Sequence, residues 1–595
     1  MRALLPWIHH RGPDEESIYV HGGFGIAVAR LSIRGGDAGR QPVISDDGQV
    51  VLAFNGELFD KVPKGESDTR WLLEDYLRNA AEPAIQDGGL AWEWLSLLLP
   101  LRGAMGCVVV FDRARQRLRI VQGRPTIKPV HLGTDAQGAL WFASELTPLL
   151  AAVPEWRALD ASRAGALANV HFVAEGPYAG LDPATGGALG EWELDGEGFR
   201  MPAPSSTQVV RWGDSLGWEA AETPSLREAW RSAARMAADV EGPVSLFLSG
   251  GLDSSGVAAL CGRDDVLALT GRFAPHGGAL DESAEAAAVA KHCGLRHEII
   301  DLRDEDLLAD LPDVIRALEM PTAGPGSLST WRLAKRAAEH GKVVLTGTGG
   351  DELFGGYARL ALLAGRSGAW TAGYEPLQKR IEDAGEDPTR RFLAAYSRWS
   401  DLEPYLDRDF AGGLGSVPEA GFVAPHGEGH VLGRALWHER RITLPTLLHV
   451  EDRILMRHGL EGRPVLCLGD LPRLAEAWDP ERLIGPDGEG KRPLRLALEG
   501  LIPEHVRMNK HKRGFPTPFA RAARGAGRDR AEAILGDRRF RERGWWNVEA
   551  CRALLDAERP VHDRAIWMVL AWEVWARLFL DGDAFADTQE EPNPA

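Results

Sequence analysis

Leu248-Ser249-Gly250-Gly251-Leu252-Asp253-Ser254-Ser255 follows an apolar run, Val244 to Leu248, and leads directly into a segment of helical periodicity, Ser254 to Cys261. Two glycines let backbone amides approach an anion, serine hydroxyls add donors, and the opening turn of a helix supplies a favourable dipole. The stretch therefore reads as a strand, a phosphate-binding loop and a helix in succession. On its own it also reads as a Gly-Ser turn that caps a helix. It lacks the Gly-Lys-Ser/Thr ending of a P-loop, so transfer of a γ-phosphoryl group is not indicated. Asp253 has a purpose in such a loop if it holds Mg2+, which takes one or two protein carboxylates beside substrate phosphates.

Working outward, the chain alternates. Helical periodicity near Leu226 to Asp239 precedes the loop. A strand near Val266 to Thr270, a helix Glu282 to His292, a helix Leu328 to Glu339 and a strand Lys342 to Thr346 follow it. Strand, helix and strand repetition implies right-handed crossovers and a parallel sheet, whose ligands sit at the carboxyl ends of the strands. The strand ending at Thr346 runs into Gly347-Thr348-Gly349-Gly350-Asp351-Glu352-Leu353-Phe354-Gly355-Gly356-Tyr357. Glycines and a carboxylate thus reach the same sheet edge twice, and Asp253 and Asp351 are the natural pair around one Mg2+. A third element, Asn509-Lys510-His511-Lys512-Arg513-Gly514-Phe515-Pro516, clusters cations that would neutralise charge developing on a leaving pyrophosphate. Alone, it reads equally as a solvated basic loop.

The first two hundred residues have a different texture. Phe24 to Ser32, Val50 to Phe54, Cys107 to Phe111 and Leu118 to Val121 are β-rich runs separated by Gly, Asp and Asn, the pattern of packed sheets. A Pro/Ser/Thr stretch at 204–207 marks the change to helical periodicity. The expected division is 1–205, 220–582 and a polar, disordered tail, 583–595. The 595 residues carry 68 basic and 86 acidic side chains, a net charge of -18. That balance argues against a general nucleic-acid or anionic-membrane binder. No run of eighteen apolar residues occurs and the opening lacks an apolar signal core, so a soluble, cytoplasmic protein is expected. The five cysteines, with no Cys-x-x-Cys pair, argue against a disulfide framework or a cysteine zinc site.

Taken together these residues resemble the class B, glutamine-hydrolysing asparagine synthetases and their amide-forming relatives, which include β-lactam synthetases and lasso-peptide cyclases. The phosphate loop, the Gly-x-Gly-Gly-Asp-Glu-Leu-Phe-Gly-Gly-Tyr string and Leu444 to Arg463 resemble the synthetase half. His10 to Asp14, Arg30 to Ile33, Gln41-Pro42, Phe54 to Glu57, Ser67 to Thr69 and Phe142 to Glu145 resemble the glutaminase half. The resemblance implies a layered N-terminal nucleophile hydrolase domain. It also implies a doubly wound, pyrophosphatase-type synthetase domain with a large helical part. The implied activity adenylates a carboxylate, by default aspartate, with ATP and Mg2+, and passes it to ammonia from glutamine or solution. The alternative is amide closure within a precursor peptide or small molecule. Nucleotide contacts fall on Leu248, Ser249, Gly250, Gly251, Asp253, Ser254, Thr270, Thr346 and Gly347, and the metal on Asp253 and Asp351. Catalytic roles fall on Lys512, with Lys510 beside it, and Thr348. Glutamine contacts fall on Arg30, Asn55, Gly56, Glu57 and Asp68. A homodimer is allowed; nucleic acid and membrane are not expected partners.

The sequence departs from the family pattern in three places. The family's glutaminase nucleophile is a cysteine right after the initiator methionine, and here Arg2 stands there. A misassigned start and a retained but inactive scaffold both account for this. Thr348 replaces an acidic residue, and a hydroxyl is no general base near neutral pH without activation. Pro464-Val465-Leu466-Cys467 stands where Pro-Phe-Leu-Asp is common, and Cys467 reads as a small buried hydrophobe.

Overall fold

The computed structural model describes residues 1–59, 62, 66–80, 104–170, 176–182, 189–195, 198–200, 225–273, 281–414, 431–510, 517–556 and 560–586. In the N-terminal half, β1 (Glu15–His21) and β2 (Phe24–Arg30) form an antiparallel ribbon. A six-stranded antiparallel sheet is built from β3 (Val43–Ile44), β4 (Val50–Glu57), β5 (Met105–Asp112), β6 (Arg117–Gln122), β10 (Leu189–Asp195) and β11 (Gly198–Arg200). A smaller sheet joins β7 (His131–Thr134), β8 (Leu140–Ala143) and β9 (Leu181–Asp182). Alternation along β4 and β5 decides the layering. Leu52, Val108 and Val110 face Leu72, Leu73 and Tyr76 of the helix Asp68–Ala80. Their neighbours Val51, Ala53, Val109 and Phe111 pack on Phe24 and Ile26 of β2, with Phe142 of β8 against them. Sheet lies on sheet on one side and helix on sheet on the other, as the period of two in the side chains requires.

The second half centres on five parallel strands, β12 (Val244–Phe247), β13 (Leu267–Phe273), β14 (Arg296–Leu302), β15 (Val343–Thr346) and β16 (Glu461–Pro464). Their spatial order is β14-β13-β12-β15-β16. The chain runs outward from β12 to β14 and then returns to β15 on the other side of β12. The strand order therefore reverses between β12 and β15, where an open α/β sheet leaves a crevice for ligand. Both faces are covered. Leu267, Leu269 and Val344 pack with Leu311, Leu328 and Ile454, while Leu246, Ala268, Val343 and Leu345 pack with Trp230, Val257 and Val289.

The strands and helices expected around the phosphate loop are present within a few residues, but β14 and β16 were not expected. β14 is an edge strand rich in charge, with Arg296, Glu298 and Asp301 along it. β16 reads Glu-Gly-Arg-Pro, with Arg463 Nε on Glu461 Oε1 at 2.8 Å. Neither shows an apolar run. The chain also stays packed past the expected start of the tail. Asp583–Phe585 form a helical turn, Arg539 pairs with Asp583 at 2.8 Å, and the Phe585 ring lies 5.4 Å from that of Trp7. The expected linker and residues 587–595 lie outside the described residues. Among the described residues, no helix is long and apolar enough to cross a membrane.

The two halves meet through buried charges on the helix Leu444–Arg457. Asp452 accepts from Arg11 at 2.8 Å and from Lys128 at 3.0 Å, and Glu145 receives Arg11 at 3.0 Å and Arg453 at 3.1 Å. Burial alone would raise the Asp452 carboxyl, but Arg11 and Lys128 hold it far below the usual carboxylate range. Removing one partner of such a cluster leaves uncompensated buried charge. Asp452→Asn should therefore cost about 3–5 kcal/mol in chemical denaturation, whereas an unchanged midpoint would show that this cluster does not hold the halves together.

Candidate active site

The crevice between β12 and β15 is a cavity of about 650 Å3. Its walls include Ser249, Gly250, Gly251, Asp253 and Ser254 after β12, and Thr346, Gly347, Thr348 and Asp351 after β15. The first loop is held open from within. Ser249 N donates to Ser254 Oγ at 3.2 Å, Gly251 N donates to Ser249 Oγ at 3.2 Å, and Gly250 has φ 74°. Leu248 and Thr270 stand behind the loop and do not line the cavity. Leu248 is buried in the core, and the Thr270 hydroxyl donates to Leu248 O at 2.5 Å and meets His297 Nε2 at 2.8 Å. Their side chains support the strand end behind the loop.

Asp253 and Asp351 come together. A side chain at Gly350 would collide with the Asp253 carboxyl group, so only glycine lets the second loop close on the first. Between the two carboxylates lies Lys491, whose Nζ is 2.5 Å from Asp253 Oδ2 and 2.8 Å from Asp351 Oδ1. Lys491 is buried and adopts a left-handed φ of 55°, a conformation a non-glycine residue holds only where its surroundings demand it. Asp253 Oδ1 is buried with no hydrogen-bond partner among the described residues. Lys491 follows Gly488-Glu489-Gly490, far from either loop in sequence, and carries no local signal of its place. Lys510 lines the same cavity, its Nζ 5.7 Å from the Trp370 ring centre. Lys512 lies outside the described residues.

A carboxylate reaches Thr348 from another element. Thr348 Oγ1 donates to Glu451 Oε2 at 2.5 Å, and Thr346 Oγ1 lies 2.9 Å from both Glu451 oxygens. Glu451 stands on the helix Leu444–Arg457 and lines the cavity. Burial pushes its carboxyl up to about 7, against the lowering effect of the two hydroxyls. Sequence reading marked the stretch Leu444 to Arg463 that contains it, without a role for this glutamate. Cys467 is buried beside this group, its Sγ 3.6 Å from Thr348 O.

In the N-terminal half, Arg30, Asn55, Gly56, Glu57 and Asp68 line one cavity of about 240 Å3. Arg30 is engaged there: Nη1 donates to Glu15 Oε2 at 2.7 Å and Nη2 to Arg34 O at 2.9 Å. Glu57 pairs with Arg34 at 2.5 Å and with Arg463 at 3.4 Å, linking this cavity to β16. Among the described residues Cys107 is the one cysteine facing the cavity, opposite Asn55 in the strand register. Burial pushes its thiol up to about 12, so it remains protonated and is no activated nucleophile.

Two family models match the chain. The asparagine synthase family model matches residues 225–577, and the glutamine amidotransferase domain model matches residues 1–63. A Bacillus subtilis glutamine-hydrolysing asparagine synthetase is 24% identical, covering 97% of this chain and 93% of its own. One from Brassica oleracea is 26% identical, over 74% of this chain and 71% of its own. The chain is also 27% identical to a Gibberella zeae protein named amidase chry2, over 60% of this chain and 55% of that one.

Lys491 offsets two facing carboxylates, so Lys491→Met should lower stability in metal-free buffer by up to about 3 kcal/mol. Millimolar Mg2+ should restore more of the melting temperature in this variant than in the parent. Equal responses of the two proteins to Mg2+ would show that the carboxylates do not form a cation site.

Proposed function

The chain belongs to the asparagine synthase family of carbon–nitrogen ligases, and on that premise we propose that it activates a carboxylic acid with ATP, releases pyrophosphate, and joins the acyl adenylate to nitrogen. The acid suggested first by the named relatives is aspartate, and the nitrogen is ammonia from glutamine or solution. One observation carries the reading: two phosphate-type loops meet at a strand-order reversal with Asp253 and Asp351 facing each other.

In this reading the backbone amides of Gly250 and Gly251 and the hydroxyls of Ser249 and Ser254 cradle the nucleotide phosphates. Asp253 and Asp351 would hold Mg2+; the unpartnered Asp253 Oδ1 and the pairing of two carboxylates with phosphate oxygens suit that ion. When bound, the ion would supply charge neutralisation at the phosphates. Lys510 lies where a cation can balance the adenylation step, and Lys512 keeps the role the family resemblance implies.

Glu451 answers the loss of the acidic residue at position 348. A general base is most effective with a pKa near the working pH, and this carboxyl is raised to about 7. It is hydrogen-bonded to the hydroxyl that occupies the missing acid's position. We assign it the proton of the attacking amine, with Thr348 holding its orientation.

Acid-dependent exchange of labelled pyrophosphate into ATP should be present in the parent and abolished in Asp351→Ala; exchange absent with every acid would overturn the reading. The base must be deprotonated, so amide formation should fall about tenfold per pH unit below about pH 7. Glu451→Gln should lose this acidic limb and slow amide formation on the order of a hundredfold, with exchange retained. An unchanged pH profile in Glu451→Gln would remove the assignment.

A further inference from the structure

A second cavity, of about 270 Å3, adjoins the first, and Ala323 and Gly324 line both. Ala323 has a left-handed φ of 61°, and its carbonyl accepts from Trp567 Nε1 at 3.0 Å. Two more elements pass from one cavity to the other. Tyr357 and Ala358 line the first while Arg359 lines the second, and one helical run places Glu451 on the first and Thr443 on the second. At about 1.5 Å per residue, Thr443 lies about 12 Å from Glu451 along that axis.

The second cavity is cationic. Arg359, Arg398 and Arg564 line it, and Arg380 stands behind them. Two of the four guanidinium groups have carboxylates: Arg359 is bidentate to Glu439 at 2.6 and 2.9 Å, and Arg564 meets Asp401 at 3.3 Å. Among the described residues Arg398 makes no side-chain ion pair; its backbone amide donates to Asn169 O at 2.7 Å and its carbonyl accepts from Asp401 N at 2.9 Å. Among the described residues Arg380 Nε and Nη2 are buried without hydrogen-bond partners. His438 adds no charge near neutral pH, since burial pushes its imidazole down to about 4. Burial, and then the neighbouring Arg564, Arg380 and Arg359, push the Arg398 guanidinium down to about 9. Among the described residues four cations thus face two carboxylates around a space with aromatic walls at Tyr396 and Trp567. Protein interiors rarely leave such a surplus without a counter-ion.

We propose that the second cavity is a subsite for a remote carboxylate of the acid being activated, held by Arg398 with Arg564 at the mouth. The acid is then an elongated dianion, longer than aspartate. Its reacting carboxylate lies beside Thr348 and Glu451, and its second carboxylate about 12 Å away by the helical rise. This rests on the amide-ligase reading and puts a longer diacid in place of the aspartate that the named relatives suggest. The nucleotide phosphates are not candidates for the subsite, because their loop, Ser249 to Ser254, lines the other cavity.

The test is pyrophosphate exchange with diacids from succinate to sebacate, each beside its own monoamide, and with aspartate. The parent should favour long diacids over their monoamides by about tenfold or more in KM, the weight of a charge-assisted contact. Arg398→Met should erase that preference with the KM for ATP unchanged, and Arg398→Lys should recover part of it. Because Arg398 makes no side-chain ion pair among the described residues, Arg398→Met should keep or raise the melting temperature, which a purely structural arginine would not do. If Arg398→Met leaves the preference intact, or if aspartate is the best acid and responds to neither variant, the subsite is overturned while the ligase reading stands. Exchange with no acid at all would instead remove the ligase reading.

Discussion

Asp253 and Asp351 are carboxylates on the loops after two adjacent parallel strands, brought together where the strand order reverses. Like charges so placed repel unless a cation stands between them, and Lys491 does so at 2.5 and 2.8 Å. Much of the site follows from satisfying this pair. Glycine is required at 350 because the Asp253 carboxyl occupies the space of a side chain. The buried lysine takes a left-handed backbone to reach inward. The same arrangement, opened to a nucleotide, offers two carboxylates to an ion that usually asks the protein for one or two.

A second constraint aligns the halves. The helix Leu444–Arg457 presents Glu451 to the synthetase cavity, while the next two residues, Asp452 and Arg453, turn to Arg11, Lys128 and Glu145 of the N-terminal half. The position of the proposed base is thereby tied to the packing of the two halves. Glu57, from the cavity lined by Arg30 and Asn55, reaches Arg463 on β16, immediately after this helix. Both links are buried ion pairs, so each resists loss of a single partner more than replacement of the whole group.

The strand, loop and helix around Leu248 to Ser255 were legible because every determinant is local: an apolar strand, glycines at the turn, and a helical period afterwards. The pairing of Asp253 with Asp351 was legible from topology alone, since two strand ends of one parallel sheet face one edge. Arg30, Asn55, Gly56, Glu57 and Asp68 do share a cavity, yet the hold of Glu15 on Arg30 could not be read from spacing. β16 and Lys491 were invisible because charged and glycine-rich segments gain their burial only from partners distant in sequence. Motif reading grouped Leu248 and Thr270 with the loop residues, and it does not say which of them line the cavity. The arginine-lined cavity gathers residues from 359 to 564, and no window of sequence holds them together.

In the proposed reaction the carboxylate oxygen of the acid attacks the α-phosphorus of ATP in the crevice between β12 and β15. Running the reaction with acid labelled in both carboxylate oxygens by oxygen-18 and weighing the nucleotide product tests it most directly. Attack at the α-phosphorus yields AMP carrying one labelled oxygen, with unlabelled pyrophosphate. Label in inorganic phosphate, with ADP as the nucleotide product, would contradict it.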